Sequence, residues 1–154
     1  MQAAIERNRG FARLAVLLTL ALLVGFVAPK HAEATVTSSE ISLGSQINHA
    51  RALNGRARMS LNGSLSDYAR RWSANMASRN RLYHNASLAT WLRNWSWRIL
   101  GENVGYGSST SQVYVAFMNS APHRANILDR RYRTMGVGVV VKNGRTWVTV
   151  IFRG

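Results

Sequence analysis

No cysteine occurs among the 154 residues, so disulfide stapling and a cysteine nucleophile are both excluded. Acidic residues are nearly as scarce, with six against twenty basic ones, and only two of the basic residues are lysines. The result is a net charge of +14 carried almost wholly by arginine, whose planar fork grips phosphates and carboxylates. No run of like charge, no internal repeat and no low-complexity tract is present, which argues against a dedicated nucleic-acid module. A G-x-S-x-G elbow is missing, and the glycines of "GYGSS" lack the lysine and preceding strand of a phosphate loop. The longest apolar run, Leu14 to Ala28, is shorter than the roughly 20 residues a spanning helix needs.

That run nevertheless has a context. Arg7, Arg9 and Arg13 precede it, and Ala32 and Ala34 follow in small-x-small spacing. A basic start, a short apolar middle and an A-x-A site read as a secretory signal peptide over residues 1–34, with an uncleaved N-terminal anchor as the alternative. The expected organisation is therefore a leader over 1–34, a polar lead-in over 35–43 and a domain over 44–154, exported and without a transmembrane segment of its own. Residues 1–34 carry four basic and two acidic groups, which leaves +12 on the remainder. An exported domain of that charge should adhere to anionic envelope polymers or phospholipid headgroups, or simply present a solvated cationic face. Without disulfides its stability must come from packing, to which the five tryptophans are expected to contribute heavily.

Hydrophobic periodicity organises the rest. Ser38 or Ser39 is expected to cap a helix reaching about Asn54, with Ile47, Ala50 and Leu53 inward and Gly55 as the stop. After Ser64, the spacing of Leu65, Ala69, Trp72 and Met76 predicts a second helix whose apolar stripe is core. A short helix is expected around Leu88 to Asn94, "GENVGYGSS" breaks any helix, and a further helix spans Ser111 to Asn119. Two strands, "MGVGVVV" and "TWVTVIF", flank Asn143-Gly144, the strongest short hairpin signal. Val148, Val150 and Phe152 face one way and Trp147, Thr149 and Ile151 the other, so the sheet is expected to be covered on both faces. Helices first and an antiparallel hairpin last make an α+β domain.

Three polar residues stand apart as candidates for chemistry: His84 in "RLYHNAS", Glu102 in "GENV" and His123 in "SAPHRANIL". Two neutral imidazoles and a carboxylate suffice for a zinc-type site with an open position, Glu102 then serving as general base. Their spacing matches no local metal motif, and a structural glutamate with two ordinary histidines is the plainer reading. Pro122 suits the first turn of a helix capped by Ser120, which puts His123 near the positive end of the dipole and favours its neutral ring. Asn103 beside Glu102 and Arg124 beside His123 complete the candidate ligand-binding set, and Arg124 at that helix start could hold an anion. His49 falls in the first helix as a surface or packing residue.

The segments "SQINHARALNG", "LSDYARRWSANMAS", "LYH", "GENVGYG", "VAFMNSAPHRANIL", "YRTMGVGVVV" and "WVTVIF", in this order, resemble the CAP/SCP superfamily of cysteine-rich secretory, antigen 5 and pathogenesis-related 1 proteins, in its short bacterial branch. The resemblance runs from about Gly44 to Phe152. It implies an α-β-α sandwich with a small antiparallel sheet between helical layers, secreted or held at the cell surface. It also implies an open cavity lined by histidines and acids, which in some members binds a divalent metal such as zinc. His84, Glu102 and His123 match the bacterial pattern. The helix from Ser111 to Asn119 carries no acid, Phe117 stands where the family usually has tryptophan, and "SAPHR" replaces "SPGHR". The function implied is an extracellular binding module without established catalysis, for lipid, sterol-like or anionic envelope components. A metal-dependent hydrolase and an electrostatic binder of nucleic acid or wall polymer are the alternatives.

Overall fold

The computed structural model describes residues 35–154, so the expected leader over 1–34 lies outside the described residues. The first helix, α1 (Ser38–Leu53), is capped by Thr37, one residue before the expected caps Ser38 and Ser39. Thr37 and Glu40 close a reciprocal capping box, which satisfies two helix-start N–H groups at once. Gly55, in the left-handed region at φ 64°, follows the helix end. Leu43, Ile47 and Ala50 are buried, but Leu53 is 74% exposed. At about 100° per residue, position 51 lies much closer to Ile47 around the helix than position 53 does. The buried place therefore falls to Arg51.

Short strand β1 (Ser60–Leu61) leads into α2 (Gly63–Arg79), where the cap is Asn62, its side chain accepting from the Leu65 N–H, rather than Ser64. Leu65, Ala69, Trp72 and Met76 are buried on one stripe. A single helical turn, α3 (Leu88–Trp91), precedes β2 (Leu100–Gly107). Then come α4 (Thr110–Asn119), α5 (Ala121–Leu128), β3 (Thr134–Lys142) and β4 (Arg145–Arg153). Asn143 and Gly144 turn the β3–β4 hairpin with φ of 52° and 69°, as the Asn-Gly pair demands.

The sheet order is β1-β3-β4-β2, antiparallel except for the two-residue parallel contact of β1 with β3. The expected antiparallel sheet is thus a mixed one, and it gains a strand at "LGENVGYG", which pairs with β4 along its whole length. Two-sided coverage follows the alternation of β4. Val148, Val150 and Phe152 join Leu43, Ile47, Val113, Phe117 and Ile127 beneath α1, α4 and α5. Ile151 and Trp147 pack against α2 and the segment after it. Burying a large apolar side chain contributes about 1.5–3 kcal/mol, so this alternation is the main reason the hairpin stays sandwiched.

The glycines of "GVGV" set the spacing of the α2 layer. A Cβ at Gly136 would stand 2.3 Å from the Leu65 carbonyl carbon, and one at Gly138 2.1 Å from the Arg70 nitrogen. Only glycine lets the backbone of α2 lie on β3. Beyond β1 the outer edge of β3 is finished by side chains, since the Val137 N–H donates to Ser66 Oγ and the Val139 N–H to Glu40 Oε1. These acceptors satisfy main-chain donors that a longer neighbouring strand would otherwise take.

Two buried charges that sequence reasoning did not single out hold the layers together. The Glu40 carboxylate accepts both Nε and Nη2 of Arg70, at 2.9 and 2.7 Å, and the Thr37 N–H at 2.8 Å. Arg51 donates to the carbonyls of Ala57, Ile127, Asp129 and Tyr132, tying the end of α1 to the end of α5. Of the tryptophans, Trp72 and Trp147 are buried while Trp97 is 38% exposed, so their share in the core is uneven.

Candidate functional site

β2 is an edge strand, and its alternation serves two different layers. Gly101, Asn103 and Gly105 face α4, α5 and the Tyr132 ring, while Glu102 and Val104 face the α2 side. Residues on opposite faces of an edge strand can meet around its rim, and this is how residues distant in sequence approach one another here.

On one side, Glu102 Oε1 takes two donors, Nδ1 of His84 at 2.8 Å and the Asn85 N–H at 2.9 Å. The Glu102 side chain is 6% exposed and that of His84 is 62% exposed. A buried carboxylate therefore orients an outward-facing imidazole. This is not the arrangement of a free general base, because one carboxylate oxygen is already committed. The other, Oε2, is buried without a partner, and so is the amide nitrogen Nδ2 of Asn85. One unpaired acceptor and one unpaired donor thus fall on the two residues joined by the Asn85–Glu102 contact.

On the other side, α5 brings His123 in half-buried, its ring 5.0 Å from that of Phe117. Burial, and then the charge of His84, push its pKa below the ordinary value of 6.5, which keeps the ring neutral. Ser120 occupies the cap position of α5 as expected, but its side chain makes no cap bond; its carbonyl accepts from the Arg124 N–H instead.

Asn103 is fully buried and positions rather than presents. Its amide nitrogen donates to the His123 carbonyl at 3.0 Å, and its oxygen accepts from Asn126 at 2.9 Å. Asn126 also reaches the Glu102 carbonyl, at 3.3 Å, so it fastens α5 to β2 at the level of the site. It was missed in the sequence, although its place three residues after His123 on a helix puts both on one face.

Beside His123 lies an apolar cleft of about 410 Å³ lined by Leu82, Val104, Tyr106, Ala116, Phe117 and His123 among others. A Cβ on Gly105 would stand 2.9 Å from the Phe117 ring, so glycine there lets α4 close on the strand. Arg124 is exposed on α5 and does not line the cleft. His49 is exposed on α1, away from all of this. Among the described residues no three of His, Cys, Asp and Glu stand together as a metal site requires. His84 bonds Glu102 and lies close enough to His123 to lower its proton affinity, so the three share a neighbourhood.

Residues 45–152 match the sequence profile of the cysteine-rich secretory protein family, CAP. The chain belongs to the CAP family. Comparison with solved structures gives the same fold. An outer surface protein of Borrelia burgdorferi superposes with a TM-score of 0.68 at 14% identity, over 77% of this chain and 95% of that one. An extracellular SCP-domain protein of Bacillus anthracis gives 0.67 at 21% identity, over 75% of this chain and 40% of that one. A cysteine-rich secretory protein of Staphylococcus aureus gives 0.62 at 26% identity, over 75% and 38%. This CAP domain thus spans about two-fifths of the length of the latter two. No curated protein sequence matches it. Among the described residues no helix is long and apolar enough to cross a membrane.

Proposed function

We propose that this CAP domain is an exported binding module that takes an amphipathic ligand, a lipid or sterol-like molecule, in the cleft beside β2. The carrying observation is an apolar cleft that the half-buried ring of His123 helps to line. The cleft lining includes Leu82 and Val104, each two residues from a member of the His84–Glu102 pair. An apolar body would bury itself against Phe117 and Ala116. The neutral ring of His123 adds a hydrogen-bonding group that carries no desolvated charge. The leader-like start over 1–34 supports export.

The surface supports a second contact, with anionic envelope material. All four acids among the described residues are taken: Glu40 by Arg70, Asp67 by Arg70 and Arg71, Asp129 by Arg131, and Glu102 by His84. The remaining described arginines have no carboxylate ion-pair partner among the described residues, a surplus that favours anionic partners.

Titration of the protein with a fluorescent fatty acid and a fluorescent sterol tests the cleft. Saturable binding is expected, at least tenfold weaker in Ala116→Trp, which fills the cleft from an exposed helix position. Failure of both probes to saturate, or equal binding by the variant, would overturn the reading. The hydrolase alternative has the oriented His84–Glu102 pair in its favour. Calorimetry with zinc decides it: matching isotherms for wild type and His84→Ala/His123→Ala are expected, and a lost binding step in the variant would restore that alternative.

A further inference from the structure

A separate open cleft lies where β2 begins and β4 ends. It measures about 810 Å³ and is lined by Arg98, Arg131, Arg133, Trp97, Ile99 and Gly154, with Ser96 at its border. Three guanidiniums on one concave surface repel one another unless anions sit among them. Among the described residues one side-chain carboxylate answers them: Asp129 holds Arg131 through both oxygens. Among the described residues no carboxylate bonds Arg98 or Arg133. Arg133 spends one nitrogen, Nη1, on the backbone carbonyls of Arg130 and Tyr132, which fixes its position and leaves Nε and Nη2 available.

Arg133 also bears on a buried group. Arg51 is fully buried nearby, and its protonation is opposed first by burial and then by the Arg133 guanidinium, with Asp129 acting the other way. The apolar wall is equally informative. The Trp97 indole N–H is already given to the Leu92 carbonyl at 3.0 Å, so the ring offers hydrocarbon surface and no donor. Gly154 pairs its main chain with Ile99, and this pairing shapes the floor.

We propose that this cleft is a binding site for a phosphate ester, with Arg98 and Arg133 gripping the phosphate and Trp97 and Ile99 covering the group that carries it. Arginine forks match the tetrahedral oxygens of phosphate, and two of them supply the doubled charge such a group calls for. The cleft volume exceeds what a bare phosphate fills, which is why a carrier body belongs in it. The inference rests on the anionic half of the function proposed above and gives it an address separate from the β2 cleft.

Calorimetry of the full chain with inorganic phosphate, and co-sedimentation with phosphatidylglycerol vesicles against phosphatidylcholine ones, test the site. Phosphate is expected to bind saturably to wild type and at least tenfold more weakly to Arg98→Ala/Arg133→Ala. Arg58→Ala/Arg79→Ala, which removes equal charge from exposed positions elsewhere, should leave binding unchanged. The single change Arg98→Glu, at an exposed side chain, provides the same test should the double variant fold poorly. Phosphatidylglycerol binding that falls with phosphate binding marks a lipid headgroup as the source. Phosphate binding without vesicle binding marks a soluble ester, and either supports the site. Equal weakening in the control pair overturns it. Vesicle binding that all variants share overturns the cleft but spares the broader anionic reading; no anion binding at all removes both.

Discussion

Replacing Glu40 by glutamine removes one charge from the point where α1, α2 and β3 meet. The carboxylate accepts four donors there: Thr37 N–H and Arg70 Nη2 on Oε2, Arg70 Nε and Val139 N–H on Oε1. Glutamine keeps one oxygen, and its NH₂ group then faces two donors whichever way it turns. Two hydrogen bonds are lost, at least one of them to the guanidinium, and bonds of the charged kind contribute about 1.5–3 kcal/mol each. Arg70 retains Asp67 at 3.6 Å and is partly solvated, so the lower part of that range applies and the total comes to about 3 kcal/mol. For a domain of this size that corresponds to about 12 °C in Tm, at about 4 °C per kcal/mol. The effect carries a pH signature. Burial alone would raise the Glu40 pKa, but the Arg70 fork and the Thr37 and Val139 N–H groups outweigh it and hold it below 4.5. A carboxyl depressed in the folded state stabilises fully above its unfolded value and loses that contribution as pH falls through the folded one. Urea unfolding followed by tryptophan fluorescence should therefore show a wide gap between wild type and Glu40→Gln at neutral pH, narrowing as the medium is acidified below 4.5. A gap under about 1 kcal/mol at neutral pH, or one that acid does not narrow, would refute the reasoning.

Gly138→Val would drive a side chain into the α2 backbone, 2.1 Å from the Arg70 nitrogen, so loss of the cooperative melt is expected by calorimetry; a Tm within a few degrees of wild type would show that α2 can lift. In an NMR titration His123 should protonate below 6.5, and His84→Ala should move its midpoint part of the way back, since burial remains. The sign for stability follows: the unfolded chain takes the proton first, so His123 contributes stability above 6.5 that fades as pH falls, and an unmoved midpoint would exclude the coupling. Asn126→Ala breaks two bonds to β2 and should destabilise by about 1–3 kcal/mol while disordering amide shifts of α5; unaffected α5 shifts would deny it the fastening role.

Part of the fold is legible in the sequence. Strand β4 alternates cleanly, and Asn143-Gly144 admits little but a tight hairpin, so the sandwiched pair follows from local pattern alone. The stripe of α2 was equally readable, because four large apolar residues at helical spacing leave one face to bury. β2 was not. Its glycines look like helix breakers in isolation and become strand positions only because Tyr132, Phe117 and Gln112 crowd the face they leave bare. Glu40 and Arg51 escaped notice for a related reason: a charge in a helical pattern reads as solvated until its partners, tens of residues away, are known.

The sequence by itself determined the family, the α+β order of elements and the trio His84, Glu102 and His123, since motif residues and short-range periodicity are properties of neighbouring positions. Only the tertiary structure decided what those three do to one another. His84 and Glu102 bond directly, and His123 lies close enough to His84 to have its proton affinity lowered further than burial alone lowers it. Distances between residues on different elements are set by how β2 pairs and how closely glycine lets helices approach, and no local pattern encodes them.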